Sequence, residues 1–136
     1  MRDADDGSLR PATTTALGRR AEDLALRYLE GAGLLLLTRN YRCRGGEIDL
    51  VMLDAATRAL VLVEVRSRSR ADFGSAAATI GFGKQRRLTL AARHLLLSHR
   101  ELRPLRARFD VVAIDPSAGA GSEPTVTWIR GAFGSV

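Results

Sequence analysis

Cysteine is almost missing from this chain of 136 residues: Cys43 stands alone. No internal disulfide can form, and a reducing cytoplasm is the expected setting. Long apolar runs are missing as well. Leu34 to Leu37 falls far short of the ~20 residues that a membrane-spanning helix needs, so no membrane association is expected. The chain begins Met1-Arg2-Asp3-Ala4-Asp5-Asp6, which is acidic and lacks the apolar centre of a secretory signal. No phosphate-binding Walker loop, dinucleotide fingerprint, zinc-ligand spacing or Ser-His-Asp signature occurs. His94 and His99 are five apart, a poor spacing for shared metal ligation on one helix, and Cys43 has no histidine near it in sequence. Aromatics make up only 5% of the chain, and one lysine, Lys84, stands against twenty arginines.

What is present begins with charge. The net charge is +6, and arginine forms bidentate bonds to phosphate while phosphate binding releases counterions. A phosphate-rich partner follows. A general bias towards arginine codons would give the same lysine deficit, and it weakens the partner inference without removing it.

The length suits one domain with a full core. Residues 1–14 are polar and unpatterned and read as a disordered tail, leaving 15–136 as the domain. Leu17, Ala21, Leu24, Ala25, Tyr28 and Leu29 recur at helical spacing between Thr15 and Ala32, with Gly31 and Gly33 as the stop. Leu34–Arg42, Glu47–Leu53 and Ala59–Arg66 read as three strands, the last two joined as a hairpin through 54–58. A long loop over 67–82 leads to a second helix, Lys84–His99, with Leu88, Ala91, Ala92 and Leu95 on its buried stripe. Ala107–Ile114 is near-continuously apolar, as a central strand would be. A short last strand follows at Val126–Arg130. The expected fold is α/β, a single domain with a mixed β-sheet flanked by helices in the order α-β-β-β-α-β-β.

Two of these strands carry carboxylates where a buried strand should have none: Gly46-Glu47-Ile48-Asp49-Leu50-Val51 and Leu60-Val61-Leu62-Val63-Glu64-Val65-Arg66. If Leu53 pairs with Leu60, Asp49 lies opposite Glu64. Glu47, Asp49, Glu64 and Arg66 then share one face, and Ile48, Leu50, Val63 and Val65 the other. Two adjacent carboxylates repel and coexist best around a divalent cation such as Mg²⁺ or Mn²⁺, which takes one or two carboxylates, waters and substrate phosphate oxygens. A structural ion pair, with Arg66 neutralising Glu64 or Asp49, is the plainer alternative. Lys84 lies four residues before Leu88 and so on the inner face of the first turn of its helix. With Arg86 and Arg87 it gathers cations where the helix dipole disfavours them, a cost that a bound phosphate would reverse.

Taken together, Gly46-Glu47-Ile48-Asp49-Leu50-Val51, Val63-Glu64-Val65-Arg66-Ser67-Arg68, Lys84-Gln85-Arg86-Arg87 and Arg108-Phe109-Asp110-Val111-Val112 resemble the YraN family of small uncharacterised bacterial proteins. Gly18-Arg19-Arg20-Ala21-Glu22 in the first helix fits too, so the resemblance runs from Gly18 to the C-terminus. It implies a restriction-endonuclease-like fold, similar to archaeal Holliday-junction resolvases. It also implies a PD-(D/E)xK site, with Asp49 and Glu64 as metal ligands, position 66 as the active-site lysine and Glu22 as an accessory acid. A surface pairing of Glu22 with Arg19 is the alternative for that acid. Ile48 replaces the proline of the motif, a minor variation. Arg66 replaces its lysine, and a guanidinium stays protonated and cannot act as a base.

Three functional expectations result. The first is Mg²⁺- or Mn²⁺-dependent phosphodiester hydrolysis of DNA, with branched or end structures as substrates. Asp49 and Glu64 would hold the metal, with Glu22, Arg66 and Lys84 completing the catalytic group. Arg42, Arg44, Arg68, Lys84, Arg86 and Arg87 would contact phosphates, and no module for base readout is present. The second is a DNA-binding module that lost turnover at Arg66. The third is a protein-interaction domain. The analogy with resolvases also suggests a homodimer.

Overall fold

The computed structural model describes residues 16–67, 80–115 and 121–134. The expected tail at 1–14, Arg68, most of the 67–82 loop and part of the 116–124 loop lie outside these residues. Helix α1 spans Ala16–Gly31. It ends where Gly33 takes φ 102°. There the Leu34 amide reaches the Leu29 carbonyl at 3.1 Å and the Gly33 amide the Glu30 carbonyl at 3.0 Å. This is a Schellman stop, closed by apolar contact between the two buried leucines at its ends.

Five strands follow: β1 (Leu35–Cys43), β2 (Gly46–Asp54), β3 (Ala59–Ser67), β4 (Arg106–Asp115) and β5 (Thr125–Phe133). Helix α2 (Phe82–Ser98) and a 3₁₀ turn (Arg100–Leu102) connect β3 to β4. The strands form one sheet in sequence order. All neighbours are antiparallel except β3 and β4, which run parallel, and a parallel pair needs a long crossover of the kind α2 supplies. The element order, the mixed sheet and the buried stripe of α2 (Leu88, Ala91, Ala92, Leu95) are those read from the sequence. The last strand is longer than expected, nine residues, because pairing with β4 carries it on to Phe133.

Helix α1 covers one face of the sheet, packing on Leu50, Met52, Val61, Val63 and Val112. Helix α2 covers the other, on Ile48, Val51, Leu60, Leu62 and Val111. Strand β3 is thus apolar on both sides. Leu60 and Leu62 point to α2, Val61 and Val63 to α1, and Glu64 continues the α2 row by strict alternation.

The sheet forks in the middle. Pairing of β2 with β3 runs from Asp54↔Ala59 through Leu53↔Leu60 to Leu50↔Val63 and goes no further. Beyond it β2 stays with β1 as far as Cys43↔Gly46, while β3 stays with β4 as far as Ser67↔Ile114. Asp49 and Glu64 are the first residues past the fork. On β1, Asn40 takes φ 52°, a left-handed conformation that asparagine tolerates. It turns the strand over, so that Arg39 reaches α1 while Tyr41 reaches His94 of α2. Strand β2 turns with it: Leu50 lies on the α1 side and Ile48 on the α2 side. The expectation that Ile48 shares a face with Leu50, Val63 and Val65 is therefore corrected; simple alternation fails at Asp49.

Gly46 lets α2 approach this region. A Cβ there would lie 2.1 Å from the Arg87 carbonyl oxygen and 3.0 Å from the Ala91 nitrogen, both rigid helix backbone. Gly46→Ala should cost about 1–3 kcal/mol by overpacking. Gly83→Ala, at a helical position with nothing within 4 Å, should instead gain roughly 0.5–1 kcal/mol. Urea unfolding of the two variants checks this, and equal effects would contradict the close packing at Gly46.

Candidate active site

A strand that loses its neighbour leaves backbone amides without partners, and such groups are costly when buried. The fork meets this locally. The Val65 amide, which faces the departed β2, donates to Asp49 Oδ2 at 2.8 Å. That bond draws the Asp49 carboxylate into the gap between the strands and within hydrogen-bonding reach of Glu64. Glu64 is almost fully buried, its side chain 5% exposed, and Lys84 Nζ meets its Oε2 at 2.9 Å. The lysine comes from the first turn of α2 and is half exposed, so its aliphatic stem spans the rim while the amine reaches inward.

Burial pushes the Asp49 carboxyl well above the ordinary carboxylate range, and the neighbouring charges of Glu64 and Glu22 push the same way. The Val65 amide offsets only part of this. Asp49 therefore resists ionising beside Glu64, and Lys84 meets the Glu64 carboxylate at 2.9 Å. Among the described residues, no three His, Cys, Asp or Glu side chains converge to enclose an ion by themselves.

Glu22 is buried at 7% exposure on α1. Its partner is Arg39, at 3.3 Å, rather than the Arg19 weighed as its surface alternative. Arg39 also holds Asp23 at 2.9 Å. Glu22 thus approaches from the opposite helix layer, near enough to raise Asp49 but directed at Arg39. Arg66 is half-buried on β3, opposite Ala113 of β4, two residues past Glu64 on the same row. Arg42 lies on β1 with Nε 3.6 Å from Glu47 Oε1, and Arg44 is exposed in the β1–β2 turn. Arg86 and Arg87 are exposed on α2. Arg68 falls outside the described residues.

Two features escaped the sequence reading. Arg39 anchors Glu22, and the register shift between Leu36 and Thr38, which pairs Arg39 with Leu50, brings it to that face. Asp110 is fully buried in β4. It accepts from Arg108 Nε at 3.0 Å, Trp128 Nε1 at 2.8 Å and the Gly131 amide at 3.0 Å. The signal for it was the same as for Asp49: a carboxylate in an apolar strand. No helix is long and apolar enough to cross a membrane among the described residues.

Comparison with known proteins adds a family but no activity. A sequence profile described as "Uncharacterised protein family UPF0102" matches residues 21–114, a span that includes the fork, Lys84 and Asp110. A UPF0102 protein of Ralstonia pickettii (strain 12J) is 54% identical over 89% of this chain and 92% of its own length. One from Dechloromonas aromatica (strain RCB) is 51% identical over 89% and 91%. Another from Pseudomonas entomophila (strain L48) is 49% identical over 90% and 96%.

The geometry makes Asp49 a liability for stability. Its folded pKa is raised, so the folded protein is penalised for ionising it. The penalty is absent below the ordinary aspartate range and grows as pH rises through the raised value. In Asp49→Asn the amide can still accept from Val65 and can donate to Glu64. With chelator present, that variant should be more stable than wild type by roughly 1–2 kcal/mol at pH 7, with the gain vanishing towards pH 4. Urea unfolding across that range checks it; a gain that is absent, or equal at both ends, would contradict the reading of the pair.

Proposed function

The chain belongs to the UPF0102 family, whose description names no activity, and from its own residues we propose a metal-dependent phosphodiesterase acting on DNA. One observation carries the reading. The only lysine of the chain sits 2.9 Å from Glu64, beside a second carboxylate that burial and like charge keep reluctant to ionise. A structural ion pair needs one acid and one base. A second acid, drawn in by its own backbone bond, is unnecessary for that and adds repulsion.

The donor set suits a hard cation. Asp49 and Glu64 offer only oxygen, and Mg²⁺ or Mn²⁺ binds through one or two carboxylates, with waters and substrate phosphate filling the remaining positions. Zinc, which favours three or four nitrogen and sulfur ligands, has no such set among the described residues. When bound, the cation would supply charge stabilisation at the phosphate and a lowered pKa for water. Glu22, turned to Arg39, would act on Asp49 through its charge.

The protein's own cations complete the site. Lys84 can donate to a phosphate oxygen and, unlike a guanidinium, can exchange a proton with its surroundings. Arg66 offers fixed charge and paired donors but no base. The amine that a PD-(D/E)xK nuclease carries on the strand would then come from the first turn of α2. Arg44, Arg86 and Arg87, all exposed, would supply further phosphate contacts, as would Arg68 and the partly buried Arg42. A chain with a single cysteine suits a reducing cytoplasm, where nucleic acids are at hand.

A second reading has its own observation. Arg66 stands at the lysine position of the motif, so the fold could serve binding without turnover. Incubation with branched, forked and single-stranded DNA in Mg²⁺ or Mn²⁺ separates the two. The nuclease reading expects cleavage that chelator abolishes and that Asp49→Asn lowers by about 100-fold or more. Cleavage unchanged in Asp49→Asn would exclude this site. Salt-sensitive binding without cleavage, and no cleavage gained in Arg66→Lys, would identify a binding module; cleavage gained in Arg66→Lys would instead show a nuclease site one side chain short of turnover.

A further inference from the structure

The outer face of α2 takes no part in the carboxylate fork. It carries Phe82, Arg86, Thr89 and Arg93 at helical spacing, on the side away from Leu88, Ala91, Ala92 and Leu95. These residues, with Gln85 and Leu90, line a shallow groove of about 470 Å³. Phe82 is 90% exposed, an unusual position for the phenylalanine side chain, whose burial alone contributes 1.5–3 kcal/mol to folding. The whole helix, Lys84 and Arg87 included, carries four Lys or Arg side chains and no Asp or Glu. The groove begins at Phe82, two residues before Lys84 in sequence and on the other side of the helix from it.

We infer that this face is a track for single-stranded DNA, with Phe82 as a platform for an unpaired base and Arg86 and Arg93 on successive phosphates. The inference rests on the DNA reading above and narrows it to substrates with unpaired nucleotides beside the cleaved bond. The charge pattern fits a polyanion, since Arg86, Arg87 and Arg93, on a helix with no carboxylate of its own, repel each other until phosphates lie between them. The aromatic fits a base rather than a duplex. Bases within a helix are already stacked on one another, whereas an unpaired base presents an open face, and stacking on a side chain is tolerant of sequence. A phenylalanine has no donor or acceptor, so the platform reads strandedness and not sequence.

The test uses the full-length protein in metal-free buffer at low salt, which separates binding from cleavage. Anisotropy compares a blunt duplex with the same duplex bearing a single-stranded tail, and 2-aminopurine in the tail reports stacking. Wild type should prefer the tailed DNA and quench the 2-aminopurine. Phe82→Ala should weaken tailed DNA roughly tenfold, leave the blunt duplex unchanged and abolish the quench, and Phe82→Trp should restore both. Arg86→Gln and Arg93→Gln should weaken both DNAs and each lower the salt slope by about one. If Phe82→Ala weakens both DNAs alike, or neither, the platform is overturned while the DNA reading stands. If wild type binds none of the DNAs, the DNA reading falls and this inference with it.

Discussion

The bond from the Val65 amide to the Asp49 carboxylate stands in for a rung of the sheet, and the candidate site depends on it. Strands β2 and β3 pair up to Leu50↔Val63 and then part, each keeping its other neighbour. Parting leaves an amide that needs an acceptor, and Asp49 supplies one at 2.8 Å. The same bond fixes that carboxylate beside Glu64. Gly46, stripped of a side chain where the backbone of α2 passes over it, lets the helix close over the fork and lower Lys84 onto Glu64. One sheet defect, one side-chain bond and one glycine thus assemble three charged groups from three elements.

Asp110 shows what a purely structural carboxylate looks like in the same sheet. It is fully buried, yet it is satisfied by a guanidinium, an indole and a backbone amide. It too takes an amide at a strand irregularity, where β4 and β5 shift register between Phe109 and Val111. Buried charge is tolerable when its lone pairs are occupied. Asp49 differs because its neighbour is another acid, so satisfaction is incomplete and its pKa is driven upward. Residue type and strand context are shared by the two aspartates; the second acid beside Asp49 is what separates them.

The fold was legible because its elements declare themselves by period. The apolar spacing of Leu88, Ala91, Ala92 and Leu95 marked α2, and the runs around Val61 and Val111 marked the central strands. The hairpin register Leu53↔Leu60, supposed from the short loop, is the one the strands adopt, and it leaves Asp49 and Glu64 together just past the last pair. Alternation could not show that both β1 and β2 turn over at Asn40 and Asp49. That event depends on a left-handed residue in one strand and a side-chain bond from the other, so Ile48 was unpredictable from period; Arg39 was too, because a register shift between Leu36 and Thr38 changes its face. Lys84 was legible as an inner-face residue of α2. Its landing on Glu64 follows from helix-to-sheet packing, which a linear pattern does not encode.

The central claim is that Asp49 and Glu64 form a site for a hard divalent cation, and calorimetric titration of Mn²⁺ tests it most directly. Wild type should bind one ion and release more protons as the pH of the titration is lowered, because Asp49, with its raised pKa, must be deprotonated to become a ligand. Asp49→Asn should lose both the binding and the proton release. Binding of equal strength in the variant, or no binding by wild type at millimolar Mn²⁺, would contradict the account.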